Sequence, residues 1–133
     1  MRTLGSLTLV WLVIVATPVT AAAQARFSGS GDFQAYCSSC HGTGAKGDGI
    51  IAKSLPKRPP DLTQLANRNN GVFPEERVVK MIDGRSDTTT HSGADMPKWG
   101  EVFAKSSESP GADATAERIK AMAQYLATIQ DKR

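Results

Sequence analysis

The sequence predicts an all-α domain with long loops, and three observations carry that expectation. Two segments place apolar residues at helical spacing, first Val78, Met81 and Ile82, then Ile119, Met122, Leu126 and Ile129. No stretch alternates with the period of two expected of a half-buried strand. Glycine and proline are frequent from Gly42 to Pro60 and from Gly84 to Gly100, so the chain between the helices is punctuated into loops.

The elements follow in order. Leu4–Ala16 is an apolar run of 13 residues after Arg2, and Pro18 and two small-x-small patterns ending at Ala23 and Ala25 come next. That arrangement fits an export signal cleaved near Ala23 or Ala25, and the run falls short of the roughly 20 residues of a spanning helix. Residues 1–25 are therefore expected to be a cleaved signal peptide, and residues 26–133 a single domain. "RFSGSG" (residues 26–31) reads as a linker, and Asp32 as the cap of a first helix over Phe33–Cys40 that Gly42 stops.

"GTGAKGDG" is a loop, residues 50–55 make a brief turn, and "LPKRPPDL" is extended because each proline restricts the residue before it. Pro74 opens a second helix at its first position, with Glu75 and Glu76 favouring the positive end of its dipole. Asp83-Gly84 ends it, and a loop over residues 85–100 carries His91 and Met96. "EVFA" (residues 101–104) is a short helical turn, and the last helix is predicted over Thr115–Ile129.

Composition narrows the function. After cleavage at Ala25 the chain would hold 108 residues with 15 basic and 13 acidic side chains, a formal charge of +2. The lysines are scattered among loops rather than gathered in a stripe, which argues against a nucleic-acid partner. Large apolar residues are few for a domain of this size, so a cofactor or a staple is expected to complete the core.

The residues that carry chemistry stand in "YCSSCHG". Cys37 and Cys40 are the only cysteines, and His41 follows directly. A C-x-x-C-H of this kind is open to four chemistries. Structural zinc needs four ligands, and adjacent Cys40 and His41 do not easily face one tetrahedral centre, even with His91 added. A thioredoxin-like dithiol belongs at a helix N-terminus after a strand, whereas these thiols come late in their helix. A disulfide closing so short a loop would remove little chain entropy.

Covalent haem attachment suits the spacing best. Thiols one helical turn apart share a face from which both can bond one edge of a porphyrin, and His41 lies beneath that face as an axial ligand. Gly42-x-Gly44-x-x-Gly47 matches a dinucleotide fingerprint letter for letter, but it follows a helix instead of a strand and reads as loop glycines.

For the second axial position the candidates are Met81, Met96, Met122 and His91. Met81 and Met122 lie on apolar helix faces, where methionine is ordinary core filling. Met96 sits in "GADMPKWG", a loop stiffened by Pro97. A thioether presented this way gives the Met/His pair of electron-transfer haems, because soft sulfur favours Fe(II). Met96 is preferred over His91.

With these residues in place, the chain resembles a monohaem class I c-type cytochrome of the small bacterial periplasmic type. Gly29 and Phe33 match the family's glycine and aromatic ahead of the haem motif. Tyr125-Leu126 match the aromatic-aliphatic pair of its last helix, Met96-Pro97 its distal loop, and Trp99 a tryptophan often found there. The likeness covers about Gly29 to Ile129. It implies the class I cytochrome c fold, with three main helices and long loops wrapped around one haem c bound through Cys37 and Cys40.

It further implies axial ligands His41 and Met96, and a carbonyl of Pro59 or Pro60 accepting from His41. Leu55, Leu62, Val78, Met81, Ile82 and Phe103 are the apolar candidates around the ring. The function implied is a non-enzymatic, periplasmic electron shuttle between redox partner proteins, not an integral membrane protein once processed. Two alternatives stay open: a haem c subunit or docking module of a larger dehydrogenase or oxidase, and a five-coordinate ligand-binding haem protein.

Overall fold

The computed structural model describes residues 26–85, 96–109 and 111–131. The signal-peptide expectation and His91 lie outside the described residues.

The first helical stretch begins earlier than predicted. The Ser28 hydroxyl accepts from the Gly31 N–H (3.1 Å) and starts α1 at Gly29–Asp32. The stretch then widens into a π-helical turn, Phe33–Cys37, in which the Ser38 N–H donates to the Phe33 carbonyl, and ends in α2, Ser38–His41. Residues 29–31 are thus helical rather than linker. Asp32 is not the cap, because its carboxylate is taken by an arginine of the last helix. Gly42 stops the stretch as expected, with φ 81°.

Helix α3 spans Glu75–Asp83, one residue later than predicted, because Pro74 has ψ 66° and stands outside it as the N-cap. Gly84 closes it by donating to the Lys80 and Met81 carbonyls at 3.1 and 3.3 Å. "EVFA" belongs to a longer helix, α4, Trp99–Ala104. The last helix, α5, runs Ala112–Thr128 and starts a turn before Thr115, whose hydroxyl donates to the Gly111 carbonyl (2.8 Å). Short 3-10 turns at Ala52–Ser54, Leu62–Gln64 and Asn67–Asn69 punctuate the long connection. Among the described residues there is no strand, so the all-α expectation holds, with four helical stretches where three were foreseen.

Helix α5 is the centre of the fold and packs against α1, α3 and α4. Its predicted stripe is the buried one: Ile119, Met122 and Leu126 are nearly inaccessible, and Ile129 is half-buried against them. Phe33, Val78, Ile82, Phe103 and Ala123 complete the cluster. Each of the large side chains contributes about 1.5–3 kcal/mol by leaving water. The first and last helical stretches pack directly on one another, with the ring centres of Phe33 and Tyr125 5.5 Å apart.

Gln130 and Asp131 beyond α5 are tied down as well. Gln130 donates to the Leu62 carbonyl (2.9 Å) and accepts from the Ala66 N–H (2.9 Å), while the Asp131 N–H donates to the Thr63 carbonyl (2.9 Å).

Candidate haem-attachment site

Cys37 closes the π-helical turn, and Cys40 and His41 end α2. A helix terminus leaves its last carbonyls without intrahelical partners. Here the glycine-rich loop returns to satisfy them. Gly42, Gly47, Gly49 and Ile51 donate their N–H groups to the carbonyls of Ser38 (2.8 Å), His41 (2.8 Å), Cys40 (3.2 Å) and Ser39 (3.1 Å). The loop is fixed in turn by Arg58, whose Nε–H reaches the Gly47 carbonyl (3.0 Å), and by Leu62, whose N–H reaches that of Ala45 (2.8 Å). Two of the three glycines that mimic a dinucleotide fingerprint, Gly42 and Gly47, thus serve with Gly49 to wrap the "CSSCH" backbone.

Both thiols are free and half-buried. Burial first, then the charges of Asp32 and Cys40, push the Cys37 thiol up to about 12, so it is neutral in the folded chain. That does not suit a thioredoxin-like dithiol, which needs a thiolate. Among the described residues, which do not include His91, no group of three or more His, Cys, Asp or Glu side chains is placed to hold a metal ion.

Met96 is half-buried and packs against the same hydrophobic cluster as Cys37. Pro97 and Lys98 lead from it into α4, where the Lys98 carbonyl accepts from Glu101 (3.1 Å) and Val102 (3.2 Å). Trp99 and Phe103 stack at 5.4 Å, and the Tyr36 ring meets both edge-on, at 5.6 Å from Trp99 and 5.2 Å from Phe103. The residue before the first thiol thus rests on the helix that begins three residues after Met96. Val78, Ile82 and Phe103 are buried in the cluster, and Leu62 is half-buried against it; Met81 and Leu55 are half-buried.

Two thiols three residues apart with an imidazole directly behind the second have the spacing that suits haem c attachment. The family described as "Cytochrome C oxidase, cbb3-type, subunit III" matches residues 24–126. The chain belongs to this family of c-type cytochromes. No curated protein and no solved structure matches it.

The cytochrome carries covalently attached haem c, and Cys37 and Cys40 fit the attachment pattern. Its chemistry is haem-based electron transfer with redox partners. Among its described residues no helix is long and apolar enough to cross a membrane.

One residue of the cytochrome escaped the sequence reading. Arg118 on α5 is only 3% exposed. It grips Asp32 with two donors (Nη2 to Oδ1 2.7 Å, Nε to Oδ2 3.1 Å) and reaches Glu108 (3.0 Å), Tyr36 Oη (3.4 Å) and Ser109 Oγ (3.4 Å). Hydrogen bonding to Asp32, followed by Glu108, holds its pKa above the ordinary value against the opposing effect of burial. A signal was available: Arg118 falls four residues from both Ala114 and Met122, on the apolar face of α5, where an ordinary solvated charge would not sit.

Proposed function

We propose that this cytochrome is an exported carrier of single electrons, freed from a signal peptide over residues 1–25, with its iron held between His41 and Met96. Attached haem supplies an iron that changes by one electron between Fe(III) and Fe(II). Cys37 and Cys40 would anchor the haem, His41 would offer an imidazole nitrogen from the end of α2, and Met96 would offer a thioether from a segment 55 residues downstream. The observation that carries this reading is the packing of Cys37 and Met96 against one cluster, joined through Tyr36, Trp99 and Phe103. Keeping both ligands through the cycle limits reorganisation and leaves no open position for substrate, which suits a carrier rather than an enzyme.

The deciding experiment combines intact mass and spectra of the exported protein. The expected mass is the processed chain plus one haem, and the ferric protein should show the weak long-wavelength sulfur-to-iron band. Loss of that band in Met96→Ala, with retention in His91→Ala, supports the ligand pair. Rapid carbon monoxide binding by the reduced wild type would instead favour a five-coordinate haem.

A second reading rests on the family's description as an oxidase subunit. In that reading the cytochrome is a bound haem c subunit, delivering electrons within a larger complex. Affinity capture from gently solubilised native membranes distinguishes the two: a free shuttle is recovered in the soluble fraction, a subunit with its complex.

A further inference from the structure

Arg118 is held both at its edge and on its faces, and the haem motif does not account for it. Its guanidinium lies 4.5 Å from the Phe103 ring centre, 5.0 Å from that of Tyr36 and 5.5 Å from that of Phe27, while its edge is bonded to Asp32, Glu108, Tyr36 and Ser109. Ser109 donates onward to the Phe103 carbonyl (3.2 Å), and Tyr36 Oη donates to Glu108 (3.3 Å). One planar cation thus touches α1, the π-helical turn, α4, the turn before α5, and α5 itself.

Stability alone is a poor explanation for this arrangement. A buried ion pair recovers little beyond its desolvation cost, and apolar replacements of similar volume are often neutral or stabilising. What an arginine supplies and an apolar side chain does not is direction: a rigid fork with five donors and two faces that rings can stack on. The two rings it faces most closely are the ones that join the attachment helix to the Met96 side. Tyr36 precedes Cys37, and Phe103 stacks on Trp99 at the start of α4.

We propose that Arg118 is a positioning residue for the distal ligand: it locks Tyr36 and Phe103 in one register and so holds the Met96 thioether over the iron. The inference rests on Met96 being that ligand. The guanidinium sets the angle between the attachment helix and α4, and without it the two can slip relative to one another while the rest of the core stays packed. Arg118 also neutralises Asp32, whose charge is felt at Cys37. Its removal alone would leave the half-buried Asp32 carboxylate without this partner.

The test uses the haem-loaded protein as wild type, Arg118→Met, Arg118→Lys and the Asp32→Asn/Arg118→Met double variant. Readouts are the sulfur-to-iron band, the rate at which imidazole displaces the distal ligand from ferric iron, and the thermal midpoint by circular dichroism. Arg118→Met is expected to lower the midpoint and to speed displacement by about tenfold, the loss of a charge-assisted contact. The double variant is the discriminating one, since it removes the orphan carboxylate. It should recover the midpoint yet still exchange its ligand fast, and Arg118→Lys should not rescue the slow rate because it lacks the planar fork.

A displacement rate that returns to wild type together with the midpoint in the double variant would reduce Arg118 to a structural role and overturn the proposal. So would an unchanged rate in Arg118→Met. If the wild type shows no sulfur-to-iron band, the Met96 ligation falls and this inference falls with it. If the band is present and only the variants behave as wild type, Arg118 positioning fails while Met96 ligation stands.

Discussion

Gly29 of α1 lies so close to Ala121 of α5 that a methyl group on it would sit 2.6 Å from the Ala121 carbonyl carbon and 3.0 Å from Tyr125 Cβ. The neighbour is helix backbone, which cannot swing aside as a flexible side chain would. Gly29→Ala should therefore force α1 away from α5 and destabilise the loaded protein by about 1–3 kcal/mol, as overpacking does. Denaturant unfolding checks this as a lower midpoint with an unchanged slope.

Gly49 has the same relation to the attachment motif. A methyl there would come within 2.5 Å of the Cys40 carbonyl carbon. Gly49→Ala is expected to peel the loop from α2, with loss of the Gly49 and Ile51 hydrogen bonds to Cys40 and Ser39. The measurement is the fraction of exported chain that carries haem, by intact mass. A fall is expected even where the chain is still exported in normal amount.

Replacing the proposed thioether changes the redox balance in a known direction. Soft sulfur favours Fe(II), so Met96→His should lower the reduction potential, whereas His91→Ala should leave it near wild type. Spectroelectrochemical titration of the three proteins reads both outcomes.

Cys37 makes the haem-free chain sensitive to alkali. Its thiol is raised from an ordinary 9.0 to about 12 by burial and by Asp32 and Cys40, so a folded haem-free chain keeps a proton that the unfolded chain releases. The stabilisation is complete below pH 9 and is lost as pH rises toward 12. A thioether does not titrate, and the loaded protein should lack this loss. Urea unfolding of the haem-free chain and its Cys37→Ala variant, on both sides of pH 9, isolates the contribution as the difference between them.

Gln130 should matter more than an exposed chain end usually does. Gln130→Ala removes the bonds to Leu62 and Ala66 and is expected to cost about 1–2 kcal/mol, with the Ala66 amide exchanging faster with solvent. Exchange confined to the last turn of α5 would argue against a clamp at this point.

Much of this was legible from the residues. The all-α class followed from the stripes at 78–82 and 119–129, and α5 buries the second of them as read. Gly42 as a helix stop and the turn expected over residues 50–55 follow from local backbone chemistry, and the turn is found as a 3-10 turn at Ala52–Ser54. The start of the first helix was misplaced because "FSGSG" has poor helix propensity. Packing overrides it: Gly29 is helical because only glycine lets α5 come so near. Asp32 looked like a cap because a short carboxylate before an apolar run is what a cap looks like. Its actual partner is 86 residues away.

The sequence by itself determined the chemistry. Two thiols three residues apart with a histidine directly behind them make the haem c attachment pattern, because bonding preference belongs to the side chains, and the proposed Met96 ligand was likewise picked out by side-chain type. Tertiary structure alone decided which groups meet. The Asp32–Arg118 pairing and the seating of Tyr36 on Trp99 and Phe103 join residues that share no local pattern. Such contacts arise only when helices have closed on one another, since burial, not proximity in sequence, makes a charge or a free carbonyl require a partner.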